Sequence, residues 1–386
     1  MFEENLAQLD ARHLLRRLRL AESAPGPVVT FAGRPLILMA ANDYLGLATH
    51  PTLKQAALDA VGRFGVGSGA SRLISGTLPP HADLETALAR FKGTEASLLF
   101  GSGYLANIGL IPALAETGDL ILADRLCHAS LIDGCRLSGA SFRVFRHRDL
   151  AHLEQLLAKC KVRRTTLIVT DGVFSMDGDL APLPDLIALA ERYDARLLVD
   201  DAHGTGVMGK TGRGTLEHFG VEARLPFHMG TLSKALGGSG AYVAGPTTLI
   251  QYLVNHARSF IYTTAPPPAA AAAALAALDV IRNEPERRTR LWANRQRWVE
   301  GLVGLGYRIA DTASPIVPVL IGQADQALQL AERLLQLGVF APAIRPPTVP
   351  EGTSRIRTTL SSEHRPEHLD HALAAFRQAG QELRLI

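Results

Sequence analysis

Between residues 95 and 245, short apolar runs rich in leucine or β-branched residues alternate with longer stretches of helical character. The runs are Ser97–Phe100, Leu120–Ala123, Phe142–Phe145, Thr166–Thr170, Arg196–Val199, His228–Leu232 and Ala241–Ala244. Such alternation predicts βα units around a mostly parallel, seven-stranded sheet covered by helices, an α/β fold. Several runs end on a polar residue followed by glycine: Asp171-Gly172, Asp200-Asp201-Ala202-His203-Gly204, and Lys234 shortly before Gly237-Gly238. Ligands of open α/β sheets bind beyond the carboxyl ends of the strands. Those ends are therefore the expected wall of a site.

The alanine block Ala269–Leu278, preceded by Pro266, Pro267 and Pro268 and followed by Asp279, predicts a buried helix joining two domains. It falls far short of the roughly 20 apolar residues that cross a bilayer, so no membrane contact is expected. Beyond it, a helix around Arg287–Val303, a strand at Ile316–Ile321, a helix at Ala324–Leu337 and a strand at Ser354–Leu360 outline a smaller α+β domain over 282–386. The start, MFEENLAQLDARHLLRRLRL, has acids early and arginines throughout, unlike the basic head and apolar core of a signal peptide. It reads as an amphipathic helix in a cytoplasmic protein. The expected division is a helical arm over 1–45, a large α/β domain over 46–281 and the small domain.

Composition narrows the partners. The 386 residues carry 40 Lys and Arg against 37 Asp and Glu, a surplus of +3, too small to mark a nucleic-acid or anionic-membrane surface. A small molecule or another protein is the expected partner. Cys127, Cys135 and Cys160 form no C-x-x-C pair and leave an odd count, which argues against disulfides and against a zinc site, and no metal is expected.

The chain holds 35 glycines, and four glycine-bearing segments compete for a phosphate-binding role. Gly204–Thr211 matches the P-loop pattern G-x-x-x-x-G-K-[ST]. That loop must open a helix, and the following Gly212-Arg213-Gly214 is a poor helix start. Gly65–Ala70 and Gly101–Ala106 both fit a loose dinucleotide pattern, but the first follows a helix-like segment and reads as a turn. The second follows a strand and precedes an apolar helix, where backbone amides meet an anion well. In a dinucleotide enzyme an acid such as Asp124 would then hold the ribose. The fourth, Gly230–Gly238, sets Lys234 among small residues at a strand end, where burial would lower its pKa and make it a Schiff-base former.

Pyridoxal phosphate requires a lysine for its aldehyde, amides and hydroxyls for its phosphate, and an acid at its ring nitrogen. Lys234, the Gly101–Gly103 turn with Thr231, and Asp200 supply all three. The strings Asn42-Asp43-Tyr44-Leu45-Gly46-Leu47, Gly67–Arg72 with Ser75-Gly76-Thr77, Asp171–Gly178, Asp200–Gly204 and Thr231–Lys234 resemble those of the α-oxoamine synthases, in order, over nearly the whole chain. The resemblance implies the aspartate-aminotransferase-like fold type I, a pyridoxal 5'-phosphate cofactor bound as a Schiff base, and a homodimer with active sites shared between subunits.

Carried over residue by residue, the resemblance makes Lys234 the Schiff-base lysine and Asp200 the partner of the pyridinium nitrogen. It implies that His203 bonds the phenolic oxygen, with Ser175 nearby, and that His128 stacks on the ring and polarises the incoming thioester. Gly103 and Tyr104 would hold the phosphate through backbone amides and Thr231 through its hydroxyl, with Thr263 or Thr264 reaching the phosphate held by the partner subunit. Arg357 matches the clamp on the amino-acid carboxylate, with Arg345 a second candidate. Arg19 and Thr348 match positions that contact the acyl substrate. Ile344–Pro350, Cys127–Ser130 and Leu9–Arg12 are similar to the biotin-pathway branch, implying decarboxylative condensation of L-alanine with a pimeloyl thioester of CoA or acyl carrier protein. Another branch, such as glycine C-acetyltransferase, stays open as the alternative, and a P-loop nucleotide-binding protein is the remote one.

Overall fold

The computed structural model describes residues 1–11, 14–15, 18–159 and 164–386. Cys160 and Arg12 lie outside them, while Cys127 and Cys135 are buried free thiols. The N-terminal segment holds strands β1 (Val28–Phe31) and β2 (Arg34–Leu38). The central sheet uses β3 (Ala96–Phe100), β4 (Leu120–Asp124), β5 (Ser141–Phe145), β6 (Thr166–Asp171), β7 (Arg196–Asp200), β8 (His228–Thr231) and β9 (Ala241–Gly245). Beyond it lie β10 (Arg308–Ile309), β11 (Ile316–Gly322), β12 (Val339–Phe340), β13 (Ala343–Ile344) and β14 (Ser354–Thr359).

All seven sequence-predicted runs pair in one sheet of order β3-β9-β8-β7-β6-β4-β5. Strand β9 alone runs antiparallel to its neighbours, and the other six share one direction. Their carboxyl ends therefore open on one side, which brings Asp171, Asp200 and Thr231 to a common edge. Strand β4 is buried at every position, as a parallel strand covered on both faces must be.

The alanine-rich helix forms over Pro268–Asn283 and buries Ala271, Ala274, Ala277 and Leu278. It packs on the helices Pro51–Phe64 and Pro79–Lys92, its small side chains permitting close backbone approach. The C-terminal region carries the antiparallel sheet β10-β11-β14-β13. Behind that sheet, Trp298 stacks edge-on against Phe376 at 5.3 Å and donates from Nε1 to Thr358 Oγ1 at 2.9 Å.

The N-terminal arm departs from the helical expectation. The helix covers only Phe2–Ala11 and buries no residue. Residues 28–38 instead form a hairpin whose turn residues, Ala32 and Gly33, both have positive φ (48° and 72°). A two-residue turn of this handedness matches the twist of the flanking strands. Its second strand continues the sheet by parallel pairing with β12. Apolar burial of Val29, Leu36 and Ile37, rather than helix amphipathicity, decides the segment.

The glycine decoys resolve by geometry. Thr211 donates from its backbone N–H and hydroxyl to Glu217, so a carboxylate stands where a P-loop needs phosphate, and the next helix spans only Thr215–Phe219. Asp124 accepts from the backbone of Leu126 and Arg148 and from His147, leaving it committed rather than free for a ribose.

His147 ties the loop after β6 to β4 by bonding Asp124 through Nδ1 and Asp179 through Nε2, both at 2.9 Å. Burial opposes its charge, but the two carboxylates together outweigh burial and push the imidazole up to about 9. A raised pKa stabilises the fold fully below the ordinary value of 6.5, and that contribution is lost as pH rises through about 9. Thermal unfolding midpoints should therefore fall as pH rises from about 6.5 to about 9, and His147→Phe should flatten that dependence while lowering the midpoint at pH 7.

Candidate active site

Register brings the acids together. Asp171 and Asp200 are Cα partners at the ends of adjacent parallel strands β6 and β7. Asp200 is buried and accepts from Asn107 Nδ2 at 2.8 Å and from the Ala202 amide at 2.9 Å. Asp171 accepts from the His128 amide at 2.9 Å. Burial and the neighbouring Asp200 push the Asp171 carboxyl well above its ordinary value. The cluster favours positive charge nearby.

Lys234 follows β8 in a turn closed by Gly237 N to Lys234 O at 2.8 Å and Gly238 N to Leu232 O at 2.8 Å. Gly237 has φ +65°, and a Cβ there would sit 2.4 Å from the Ala48 amide nitrogen. The glycine thus lets this turn press against residues 43–48, which Asp43 shapes by accepting from the amides of Leu47 and Ala48. Burial draws the Lys234 ammonium below its usual pKa against the pull of Asp200 and Asp171, and Arg357 lowers it further. Among the described residues no carboxylate lies within 4 Å of its nitrogen. A half-buried amine whose pKa is lowered in this way is poised to react as a nucleophile.

His203 stands above Asp200 with Nδ1 2.7 Å from the hydroxyl of fully buried Tyr44. Burial, Lys234, Arg357 and His128 all hold its pKa well below the ordinary value, so the ring is neutral. Burial also pushes the Tyr44 phenol up to about 12. Strand β14 alternates, placing Arg355 and Arg357 on one face. Arg357 donates from Nε to the Ser175 carbonyl at 2.6 Å and from Nη2 to Asn42 Oδ1 at 3.4 Å, while Arg355 pairs with Asp177. Both arginines fasten the Ser175 loop to the small sheet.

At the other end, Gly103 opens the helix Gly103–Leu114, capped by Ser102. A Cβ on Gly103 would stand 4.0 Å from Thr231 Cβ, so the amide-rich helix start faces the end of β8. Thr231 Oγ1 bonds Ser233 Oγ at 2.7 Å and the Gly240 carbonyl. This set fits pyridoxal phosphate: anion-binding amides with a hydroxyl at the end of β8, a buried carboxylate at the end of the neighbouring β7, and an amine of lowered pKa just after β8. Tyr104 follows Gly103, with its exposed hydroxyl donating to Asp133.

The remaining sequence candidates sit on other elements of the chain. Arg19 is exposed and covers the Phe340 ring at 5.4 Å, in a hollow lined by Glu22, Phe31, Arg34 and Leu335. Arg345 is half-buried and Thr348 exposed, on either side of the cis bond between Pro346 and Pro347. Thr263 is half-buried, and exposed Thr264 bridges Ser71. Sequence reading assigned no role to Asn107, Tyr44, Asp171 or Asn42. Asn107 had no signal, being one polar residue in an apolar helix, whereas Tyr44 and Asp171 sat inside motifs already noted.

Fold and pocket together define the class. The family model for class I and II aminotransferases matches residues 34–376. The chain belongs to that family and, within it, to the branch of the 8-amino-7-oxononanoate synthases. It is 51% identical to the 8-amino-7-oxononanoate synthase of Geobacter sulfurreducens, covering 99% of this chain and 98% of the relative. It is 52% identical to that of Anaeromyxobacter dehalogenans, covering 96% and 93%. Among solved structures, a serine palmitoyltransferase from S. paucimobilis with a bound PLP-myriocin aldimine superposes with a TM-score of 0.95 at 32% identity, covering 100% and 98%. The 8-amino-7-oxononanoate synthase of Francisella tularensis superposes at 0.78 with 30% identity, covering 91% and 99%.

Gly237→Ala combines a strained φ with a backbone clash, and should cost at least about 1 kcal/mol in urea unfolding and weaken retention of pyridoxal phosphate on dialysis. Unchanged stability and retention would show that the turn does not press on residues 43–48.

Proposed function

We propose that the protein is a pyridoxal-phosphate-dependent C-acyltransferase that joins L-alanine to a pimeloyl thioester, yielding 8-amino-7-oxononanoate, CO2 and the free thiol. The observation that carries the reading is the half-buried Lys234 amine, its pKa drawn down by desolvation, just after β8 on the sheet edge it shares with Asp200 and Thr231. Identity of about half the residues, over nearly the full length, to synthases of that name supports the choice of substrates.

Bound pyridoxal phosphate supplies an aldehyde that captures the amino group and a cationic ring that accepts the electron pair released at Cα. Lys234 would bind that aldehyde through its amine, and when free that amine would take the Cα proton, a task suited to a lysine whose pKa desolvation has lowered. Asp200 keeps the ring nitrogen protonated. His203, neutral and held by Tyr44, bonds the phenolic oxygen beside Ser175. Arg357 offers its remaining N–H groups to the alanine carboxylate. His128 covers the ring face and donates to the acyl oxygen of the thioester as charge builds there.

Gly103 and Tyr104 amides with the Thr231 hydroxyl hold the phosphate. In a homodimer, Thr263 and Thr264 reach the phosphate held by the partner subunit, while Arg19, Arg345 and Thr348 line the acyl path once the second chain closes the site. Either CoA or acyl carrier protein fits as the thiol. We place the enzyme in the cytoplasm. Among the described residues no helix is long and apolar enough to cross a membrane.

A thiol-release assay crossing pimeloyl-, acetyl- and palmitoyl-CoA with alanine, glycine and serine tests the reading. Release is expected with pimeloyl-CoA and alanine. Release confined to acetyl-CoA with glycine, or to palmitoyl-CoA with serine, would assign another branch. The purified protein should be yellow, and borohydride should fix the cofactor to Lys234. Lys234→Ala should lose activity, whereas Lys210→Ala, at an exposed position, should keep it.

A further inference from the structure

Asn107 and Ser130 are buried at 0% and 1% exposure, and neither belongs to the cofactor-contacting set above. Asn107 Nδ2 has two protons and two acceptors: Asp200 Oδ2 at 2.8 Å and Ser130 Oγ at 2.9 Å. Turning the amide over would aim its oxygen at the Asp200 carboxylate, so the nitrogen must face that way. Asn107 Oδ1 is left buried without a partner, a cost accepted to keep both donors in place.

Direction then propagates. Because Ser130 Oγ accepts from Asn107, its own proton is free to go to His128 Nδ1, 2.8 Å away. The Ser130 backbone N–H also points at His128 Nδ1, at 3.3 Å. An amide N–H can only donate, so two donors converge on one ring nitrogen, which must be the acceptor. The ring proton therefore resides on Nε2. No described residue bonds Nε2, and the His128 side chain is exposed.

We propose that Asn107 and Ser130 are positioning residues that fix His128 in its Nε2–H tautomer and tie that choice to the orientation of Asp200. Accepting the role of His128 at the acyl oxygen given above, the relay guarantees that the nitrogen facing the substrate is a donor. It also couples the two groups that flank the cofactor ring, one at its nitrogen and one on its face.

The test combines a tautomer measurement with a mutant cycle. In holoenzyme labelled with 15N-histidine, the His128 signals, identified by their loss in His128→Asn, should report Nε2–H in the native protein. They should report a mixture of tautomers in Ser130→Ala and in Asn107→Leu. Ser130→Ala should lower kcat/KM for pimeloyl-CoA about tenfold and change alanine affinity, read from the cofactor spectrum, less than about twofold. Ser130→Thr should restore both the tautomer and the rate. In the His128→Asn background, Ser130→Ala should change kcat/KM by less than about twofold. An Nδ1–H signal in the native protein, or equal losses in both backgrounds, would overturn the relay. If His128→Asn alone leaves kcat/KM intact, the acyl-oxygen role fails, and the tautomer measurement still decides the relay.

Discussion

Two carboxylates forced side by side at the ends of β6 and β7 set the terms for everything around them. Asp171 and Asp200 are register neighbours in a buried parallel sheet, where like charges repel strongly and solvent gives little relief. The surroundings answer with donors and cations: the His128 amide, the Asn107 amide, the Ala202 amide, and Lys234 and Arg357 nearby. The pocket is therefore biased toward a positively charged occupant before any substrate arrives.

The small sheet belongs to the same arrangement. Strand periodicity puts Arg355 and Arg357 on one face of β14, and both reach the loop containing Ser175 and Asp177. The other face carries Thr358, which accepts from Trp298 in the small-domain core. Packing in that core consequently fixes the angle at which a guanidinium enters the site. The His147 bridge fastens the same loop from the opposite side.

Periodicity and strand-end punctuation made the central sheet legible, because parallel strands buried on both faces leave dense apolar runs. Lys234 and Asp200 could be singled out for a related reason: charge amid small or apolar neighbours needs a cause. Less was readable where roles depend on distant pairing. The hairpin at residues 28–38 is settled by its contact with β12, some 300 residues on. Asn107 reaches Asp200 only when the helix Gly103–Leu114 packs on β8 and β9 beside the end of β7, which no local pattern announces.

The hairpin's pairing also bears on how the chain folds. Ile37 lies opposite Val339, so the hairpin meets its sheet neighbour only across some 300 residues of intervening chain. Contacts so remote in sequence carry a large loop-closure cost and form late. Until then Val29, Leu36 and Ile37 lack their cover and offer two unpaired strand edges. The docking of β12 thus covers apolar residues of a strand that would otherwise present an adhesive edge.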